Sequence, residues 1–212
     1  MISPDARLQE AHLKAQTLIE SLPWLLNFRG KTIVVKLGGN AMVSDDLLDA
    51  FAQDMVYLRT VGVHPVIVHG GGPQITDALS ARGIESEFRG GYRVTSTEAI
   101  PVIREVLSEE IGGDLVSRIE RYGVSARALS GFDEGLFTAR RRGALIDGEE
   151  IDLGRVGDVD TVNPQSIVEL TRRGDIPVIS SIAPEGDSSG TGLNVNADQA
   201  AAALAAALGA AK

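Results

Sequence analysis

Three short segments set polar or charged side chains near glycines, and a fourth groups amides with a carboxylate. Lys36 precedes Gly38-Gly39, His69 precedes Gly70-Gly71-Gly72, Arg93 sits in Gly90-Gly91-Tyr92-Arg93-Val94-Thr95, and Asn194-Val195-Asn196-Ala197-Asp198 carries two amides and a carboxylate. Glycine lets an anion approach backbone N–H groups that a Cβ would shield. A lysine at the end of a buried strand is costly without an anionic partner. An arginine can fork a carboxylate with two N–H bonds. Such a set supports binding and charge stabilisation of an anionic substrate. Each feature also has a plainer alternative. The glycines could be tight strand-to-helix turns, Lys36 could reach a solvated rim, Arg93 could be a surface residue, and Asn196 could simply cap a helix.

Other chemistries are excluded by residue type. The chain has no cysteine, which removes disulfides, thiolate metal sites and cysteine nucleophiles. Its histidines, His12, His64 and His69, lack metal-ligand spacing, and no Ser/His/Asp signature occurs, so no metal site is expected and His69 reads as structural. Neither the G-x-x-x-x-G-K-[ST] phosphate loop nor G-x-G-x-x-G is present, which disfavours P-loop and Rossmann readings.

The elements that must position these residues follow from periodicity. Thr32–Leu37, Pro65–His69 and Pro177–Ser181 read as buried strands, and the first two end in the glycine clusters. Helices are expected over about 45–61, opened by Ser44-Asp45-Asp46, and about 73–82, opened by Pro73. Strand, glycines and helix, repeated, is the grammar of a parallel α/β sheet, so the expected fold is a three-layer α/β/α sandwich with a mainly parallel central sheet. Extended structure is expected over 85–94 around Gly90-Gly91, and helices over about 96–108 and 110–121. Short strands over 125–130, 135–140 and 150–158 suggest a β-hairpin excursion. A helix over about 164–173, a polar loop over 184–192 and an alanine-rich helix from Ala197 to Ala211 complete the pattern.

Residues 4–22 carry Leu8, Ala11, Ala15, Leu18, Ile19 and Leu22 at helical spacing, Pro23 is expected to end this helix, and an apolar Trp24–Phe28 cluster follows. Residues 1–28 thus form an N-terminal helical extension ahead of a 29–212 domain. The helix either packs on its own domain or serves as an oligomerisation arm.

Bulk properties limit partners. With 212 residues the chain has room for one large domain. The balance of 20 Lys+Arg against 29 Asp+Glu gives a net charge of −9, a poor basis for general binding of nucleic acid or anionic membrane. The Arg140-Arg141-Arg142 run is too short to suggest a nucleic-acid patch. The longest apolar run, Ala200–Ala211, falls short of the ~20 residues of a membrane span, and the charged N-terminus lacks a signal-peptide pattern. A cytoplasmic location is expected.

Lys36-Leu37-Gly38-Gly39-Asn40-Ala41, His69-Gly70-Gly71-Gly72-Pro73-Gln74, Gly91-Tyr92-Arg93-Val94-Thr95, Val156-Gly157-Asp158-Val159 and Asn194-Val195-Asn196-Ala197-Asp198, in this order, resemble the amino-acid kinase family. The resemblance runs from about residue 29 to the C-terminus. Lysine-glycine-glycine alone is shared by carbamate, aspartate, glutamate and uridylate kinases. Gly-Tyr-Arg-Val-Thr and Asn-Val-Asn-Ala-Asp favour the acetylglutamate kinases.

This resemblance implies phosphorylation of the γ-carboxylate of N-acetyl-L-glutamate by ATP with Mg²⁺, in arginine biosynthesis. By motif, Gly71, Gly72, Arg93 and Asn194 would bind the acetylated amino acid, with Asn196 lining the same cleft. Lys36 would stabilise the transition state, Gly38 and Gly39 would give backbone donors to the moving phosphoryl group, and Asp198 would orient the lysines. No protein nucleophile is required. The family continues into a nucleotide-binding lobe carrying a second catalytic lysine and most ATP contacts. The resemblance therefore implies that 29–212 is the acetylglutamate-binding lobe, that the nucleotide lobe is missing, and that this chain alone is inactive. The N-terminal helix resembles the extension of arginine-inhibited, hexameric members, which implies a homo-oligomer and possible arginine feedback. The alternatives are another amino-acid kinase acting on a different acidic substrate, or a non-catalytic ligand-binding or oligomerisation module.

Overall fold

A computed structural model describes residues 4–146, 149–186 and 191–212. In chain order the elements are α1 (Pro4–Phe28), β1 (Thr32–Leu37), a 3₁₀ turn (Gly39–Val43), α2 (Asp45–Thr60), β2 (His64–His69) and α3 (Gly72–Ala81). A small hairpin of β3 (Phe88–Arg89) and β4 (Tyr92–Arg93) follows, then α4 (Ala99–Arg104), a π-helical segment (Glu105–Ile111) and α5 (Gly112–Glu120). The chain continues through β5 (Ala126–Leu129), β6 (Phe137–Ile146), β7 (Glu149–Val162), α6 (Gln165–Arg173), β8 (Ile176–Ser180), β9 (Ile182–Pro184), β10 (Gly192–Val195) and α7 (Ala197–Leu208).

The central sheet has the order β1-β2-β8-β5, and all its pairings are parallel. Strand periodicity divides its side chains between two faces. Ile67 and Val178 join a core with Leu48 and Met55 of α2, Leu79 of α3, and Ile103, Leu107 and Leu115 of the α4–α5 helix. Val66, Val68 and Ile179 face the other way, into a core with Leu170 of α6, Leu204 of α7 and Phe137 of β6. Fully burying an aliphatic side chain of this size contributes ~1.5–3 kcal/mol. β2 and β8 carry an aliphatic residue at successive positions because both faces are covered. The three-layer α/β/α reading holds, with one addition. A second, mixed sheet of order β6-β7-β10-β9 lies on the α6–α7 side and carries the long β6–β7 hairpin.

Several boundaries differ from expectation. Pro23 lies inside α1, which runs on to Phe28. A proline deprives the carbonyl four residues earlier of its donor. That residue is Ile19, which is highly exposed, so water can replace the lost bond. The helices expected over 96–108 and 110–121 are continuous, joined by the π-helical segment. The strand expected over 135–140 extends to Ile146, and that over 150–158 runs from Glu149 to Val162. α7 stops at Leu208, short of Ala211. Of the polar loop expected over 184–192, residues 187–190 lie outside the described residues, and its flanks belong to β9 and β10, which were not anticipated. The extended stretch at 85–94 is the β3–β4 hairpin, whose Gly90 (φ 55°) and Gly91 (φ 83°) give the two positive φ angles of a tight I′-type turn.

α1 does not pack its apolar stripe on the rest of the chain. Leu8, Leu13, Leu18, Ile19, Trp24 and Leu26 are 62–72% exposed.

Candidate active site

β1 and β2 are adjacent and parallel, so their carboxyl ends lie side by side, where open α/β sheets form their crevices. β2 runs into Gly70 and Gly71, and α3 begins at Gly72 with Pro73 in its first turn. On the other side of the crevice Asn196 caps α7, its Oδ1 accepting the N–H groups of Asp198 (2.8 Å) and Gln199 (3.2 Å). The two helix starts lie close, since a Cβ on Gly70 would stand 3.4 Å from the Ala197 methyl. Both present the positive end of a helix dipole, and the first turn of α3, unlike that of α7, has no side-chain cap. The cleft between them encloses about 180 Å³. Gly71, Gly72, Arg93, Asn194 and Asn196 line it, walled by the aromatic rings of Phe88 and Tyr92.

Arg93 is held from several sides. Its Nη2 donates to the Gly72 carbonyl (2.8 Å) and to Thr76 Oγ1 (2.7 Å), its Nη1 donates to Ser86 Oγ, and the Phe88 ring stacks on the guanidinium at 4.6 Å. It is 6% exposed, and every one of these partners is neutral. No carboxylate pairs with it among the described residues. Burial lowers its pKa, but a guanidinium remains charged at any working pH. The surface alternative for Arg93 is therefore wrong. Three of its five N–H donors are engaged, which leaves two for a ligand. Asn194 is oriented in turn by its Nδ2, which donates to Thr95 Oγ1 (3.3 Å), while Thr95 Oγ1 donates to the Arg93 carbonyl (2.9 Å).

Lys36 stands at the end of β1 with its Nζ 3.1 Å from Asp198 Oδ1, in the first turn of α7. Its side chain arches over Gly38, where a Cβ would lie 2.7 Å from Nζ, so glycine at 38 gives the ammonium its place. Gly39 opens the 3₁₀ turn, and a Cβ there would meet nothing within 4 Å. The structure thus gathers Lys36, Gly38 and Asp198 into one group, adjoining the cleft through α7.

Four contributors were missed. Phe88 and Tyr92 wall the cleft, and Thr76 and Ser86 hold Arg93. The aromatics flanking Gly90-Gly91 and the place of Thr76, one turn after Gly72, were readable signals. Nothing local marks Ser86. The Val156-Gly157-Asp158 motif now has a physical account. Val156 borders the cleft, and a Cβ on Gly157 would lie 2.8 Å from both the Arg140 carbonyl and the Leu193 side chain. Asp158 Oδ1 accepts from Arg142 Nη1 (2.8 Å), whose guanidinium stacks on Tyr92 at 4.6 Å. Among the described residues no group of three or more His, Cys, Asp or Glu is placed to hold a metal ion, and no helix is long and apolar enough to cross a membrane.

Comparison with known proteins adds to this geometry. A family model described as the amino acid kinase family matches residues 31–212. An acetylglutamate kinase from Saccharopolyspora erythraea is 58% identical over 206 residues, covering 97% of this chain and 67% of the relative. One from Leifsonia xyli subsp. xyli is 60% identical, covering 94% and 66% respectively. The chain thus spans about two thirds of the length of these curated relatives. Among solved structures, N-acetylglutamate synthase from Neisseria gonorrhoeae complexed with coenzyme A and N-acetyl-glutamate is 25% identical with a TM-score of 0.72, covering 92% of this chain and 43% of that one. Carbamate kinase from Giardia, at 14% identity and a TM-score of 0.54 over 85% of this chain and 72% of that one, shares the fold.

Proposed function

The chain belongs to the amino acid kinase family, and from that premise we propose that it binds N-acetyl-L-glutamate for phosphorylation of the γ-carboxylate by ATP, a step of arginine biosynthesis. One observation carries the substrate assignment. Arg93 is a buried cation with neutral partners and two free donors at a cleft of amino-acid size. Burying a charge is costly unless it is paired, so the site calls for an anionic ligand. A carboxylate of the substrate supplies that charge.

Phosphoryl transfer depends on positioning and charge stabilisation, with little covalent work for the protein. Arg93 and Asn194 hold the acetylated amino acid, and the N–H groups at Gly71 and Gly72 face its reacting end. Lys36, with the backbone at Gly38 and Gly39, stabilises charge on the moving phosphoryl group, and Asp198 orients Lys36. Mg²⁺ arrives with ATP as part of the substrate complex. Residues 29–212 form the acetylglutamate-binding lobe, and the remaining third of the relatives' length carries the nucleotide contacts and a second catalytic lysine. The protein works in the cytoplasm as a homo-oligomer joined through α1, whose exposed apolar side chains support this role, with arginine as a possible feedback ligand.

Calorimetric titration of the chain with N-acetyl-L-glutamate, against L-glutamate and L-aspartate, tests the reading. Saturable binding of the acetylated compound in preference to the other two is expected. Preference for an unacetylated acid would assign the cleft to a different amino-acid kinase substrate.

A further inference from the structure

β2 ends at His69, whose side chain is fully buried. Its Nδ1 lies 3.1 Å from the Gly70 carbonyl oxygen. A carbonyl only accepts, so the proton sits on Nδ1. The other nitrogen, Nε2, is buried without a partner among the described residues and faces Gly112, at the start of α5. Burial keeps the ring neutral, with its pKa lowered to about 4. An orphaned buried nitrogen is a cost that an aliphatic residue would avoid, so packing alone does not explain this histidine.

The bond it makes has a directional consequence. The Gly70 C=O and the Gly71 N–H belong to one planar, trans peptide unit and point in opposite directions. With the carbonyl drawn toward the buried ring, the Gly71 N–H is turned away from it. That N–H has no acceptor among the described residues, and both glycines border the cleft. A Gly-Gly peptide has no side chain to restrict its rotation. We infer that His69 is a positioning residue, whose Nδ1–H anchors the Gly70 carbonyl and so presents the Gly71 amide to the anionic group bound in the cleft. The inference rests on the acidic-substrate reading for its ligand, but the peptide orientation stands apart from any ligand.

The test compares three variants of the chain. His69→Asn keeps an N–H donor near the Nδ1 position, His69→Leu has no donor, and His69→Gln places its amide near Nε2. Crystal structures of the ligand-free variants are expected to retain the Gly70–Gly71 peptide orientation in His69→Asn and to lose it or split it in His69→Leu and His69→Gln. In titrations with N-acetyl-L-glutamate, His69→Asn should remain within about threefold of the parent and His69→Leu should lose about tenfold in affinity, the scale of one hydrogen bond to a charged group. If His69→Leu does not fold, His69→Gln supplies both readouts. An unchanged peptide in the donor-less or donor-shifted variant, or equal affinity losses in His69→Asn and His69→Leu, would overturn the role. A parent chain that binds no N-acetyl-L-glutamate would instead count against the proposed function, and the peptide orientation would still decide His69.

Discussion

Lys36 Nζ stands 3.1 Å from Asp198 Oδ1, tying the end of β1 to the first turn of α7. The side chains are 34% and 70% exposed, so the pair contributes only ~0.2–1 kcal/mol to stability. Its value lies in where it holds the ammonium.

Asp198→Ala should therefore shift the urea unfolding free energy by less than ~1 kcal/mol. In a protein extended through the nucleotide-binding lobe, Lys36→Ala should lower kcat by ~10²–10³, the scale of removing one preorganised charge-stabilising donor. Asp198→Ala should lower it as well. The 212-residue chain alone should read background in a coupled ADP-release assay. Robust turnover by this chain would place the ATP contacts within these residues.

Arg93→Ala should weaken N-acetyl-L-glutamate binding by ~2–5 kcal/mol, the scale of truncating one partner of a buried charge pair. That is about 30-fold to several thousand-fold. Arg93→Lys should not restore it, because one ammonium cannot reproduce the fork that serves Gly72, Thr76, Ser86 and the ligand together. Calorimetry giving equal affinity in variant and parent would remove Arg93 from the site.

His69 makes stability depend on pH in a definite direction. Its pKa is about 4 in the folded chain against an ordinary 6.5, so below 6.5 the unfolded state binds a proton that the folded state refuses. Stability attributable to this group is intact above 6.5 and declines as pH falls toward 4, by ~3 kcal/mol in all. Urea titrations at a series of pH values should show a smaller loss over this window in His69→Leu than in the parent. Parallel curves would mean that the ring titrates normally.

Arg118 ties two helices together. It is 10% exposed and contacts Asp45 (2.6 Å) and Asp49 (2.7 Å) of α2 and Asp114 (2.7 Å) of α5. The hydrogen bonds it donates to Asp114, Asp45 and Asp49 raise its pKa further. Arg118→Met should cost ~1–3 kcal/mol, below the 3–5 of a fully buried pair because the carboxylates remain partly in water. The deficit should shrink at 1 M salt, where such pairs are screened in the parent. A salt-independent deficit would point to packing of the arginine stem.

Removing residues 1–26 should lower the number of subunits per particle, read as the light-scattering mass divided by the mass of one truncated chain, while leaving the far-UV signal of a folded α/β domain. The exposed side chains of α1 motivate this expectation. An unchanged subunit number would rule the helix out as the arm that joins subunits.

Much of the frame is local and therefore legible from residue order. β2 and β8 announce themselves as β-branched runs, since both faces are covered and no polar position is needed. The glycine clusters mark where strands give way to helices, and Ser44 and Pro73 mark helix starts by their own chemistry. Gly71, Gly72, Asn194 and Asn196 were readable as candidates because they sit at or beside such a boundary, and Arg93 because it follows the Gly90-Gly91 turn of a hairpin. Tertiary structure alone decided how they are used. Lys36 and Asp198 meet only because α7 packs across the end of β1, and Arg93 becomes a buried cation only when Gly72, Thr76 and Ser86 close around it. β9 and β10 are too short to carry a period and exist because the neighbouring β7 pairs with β10. Pro23 was misjudged for a related reason. Local chemistry states what a proline removes from a helix, but only the solvent exposure of α1 determines whether water restores it.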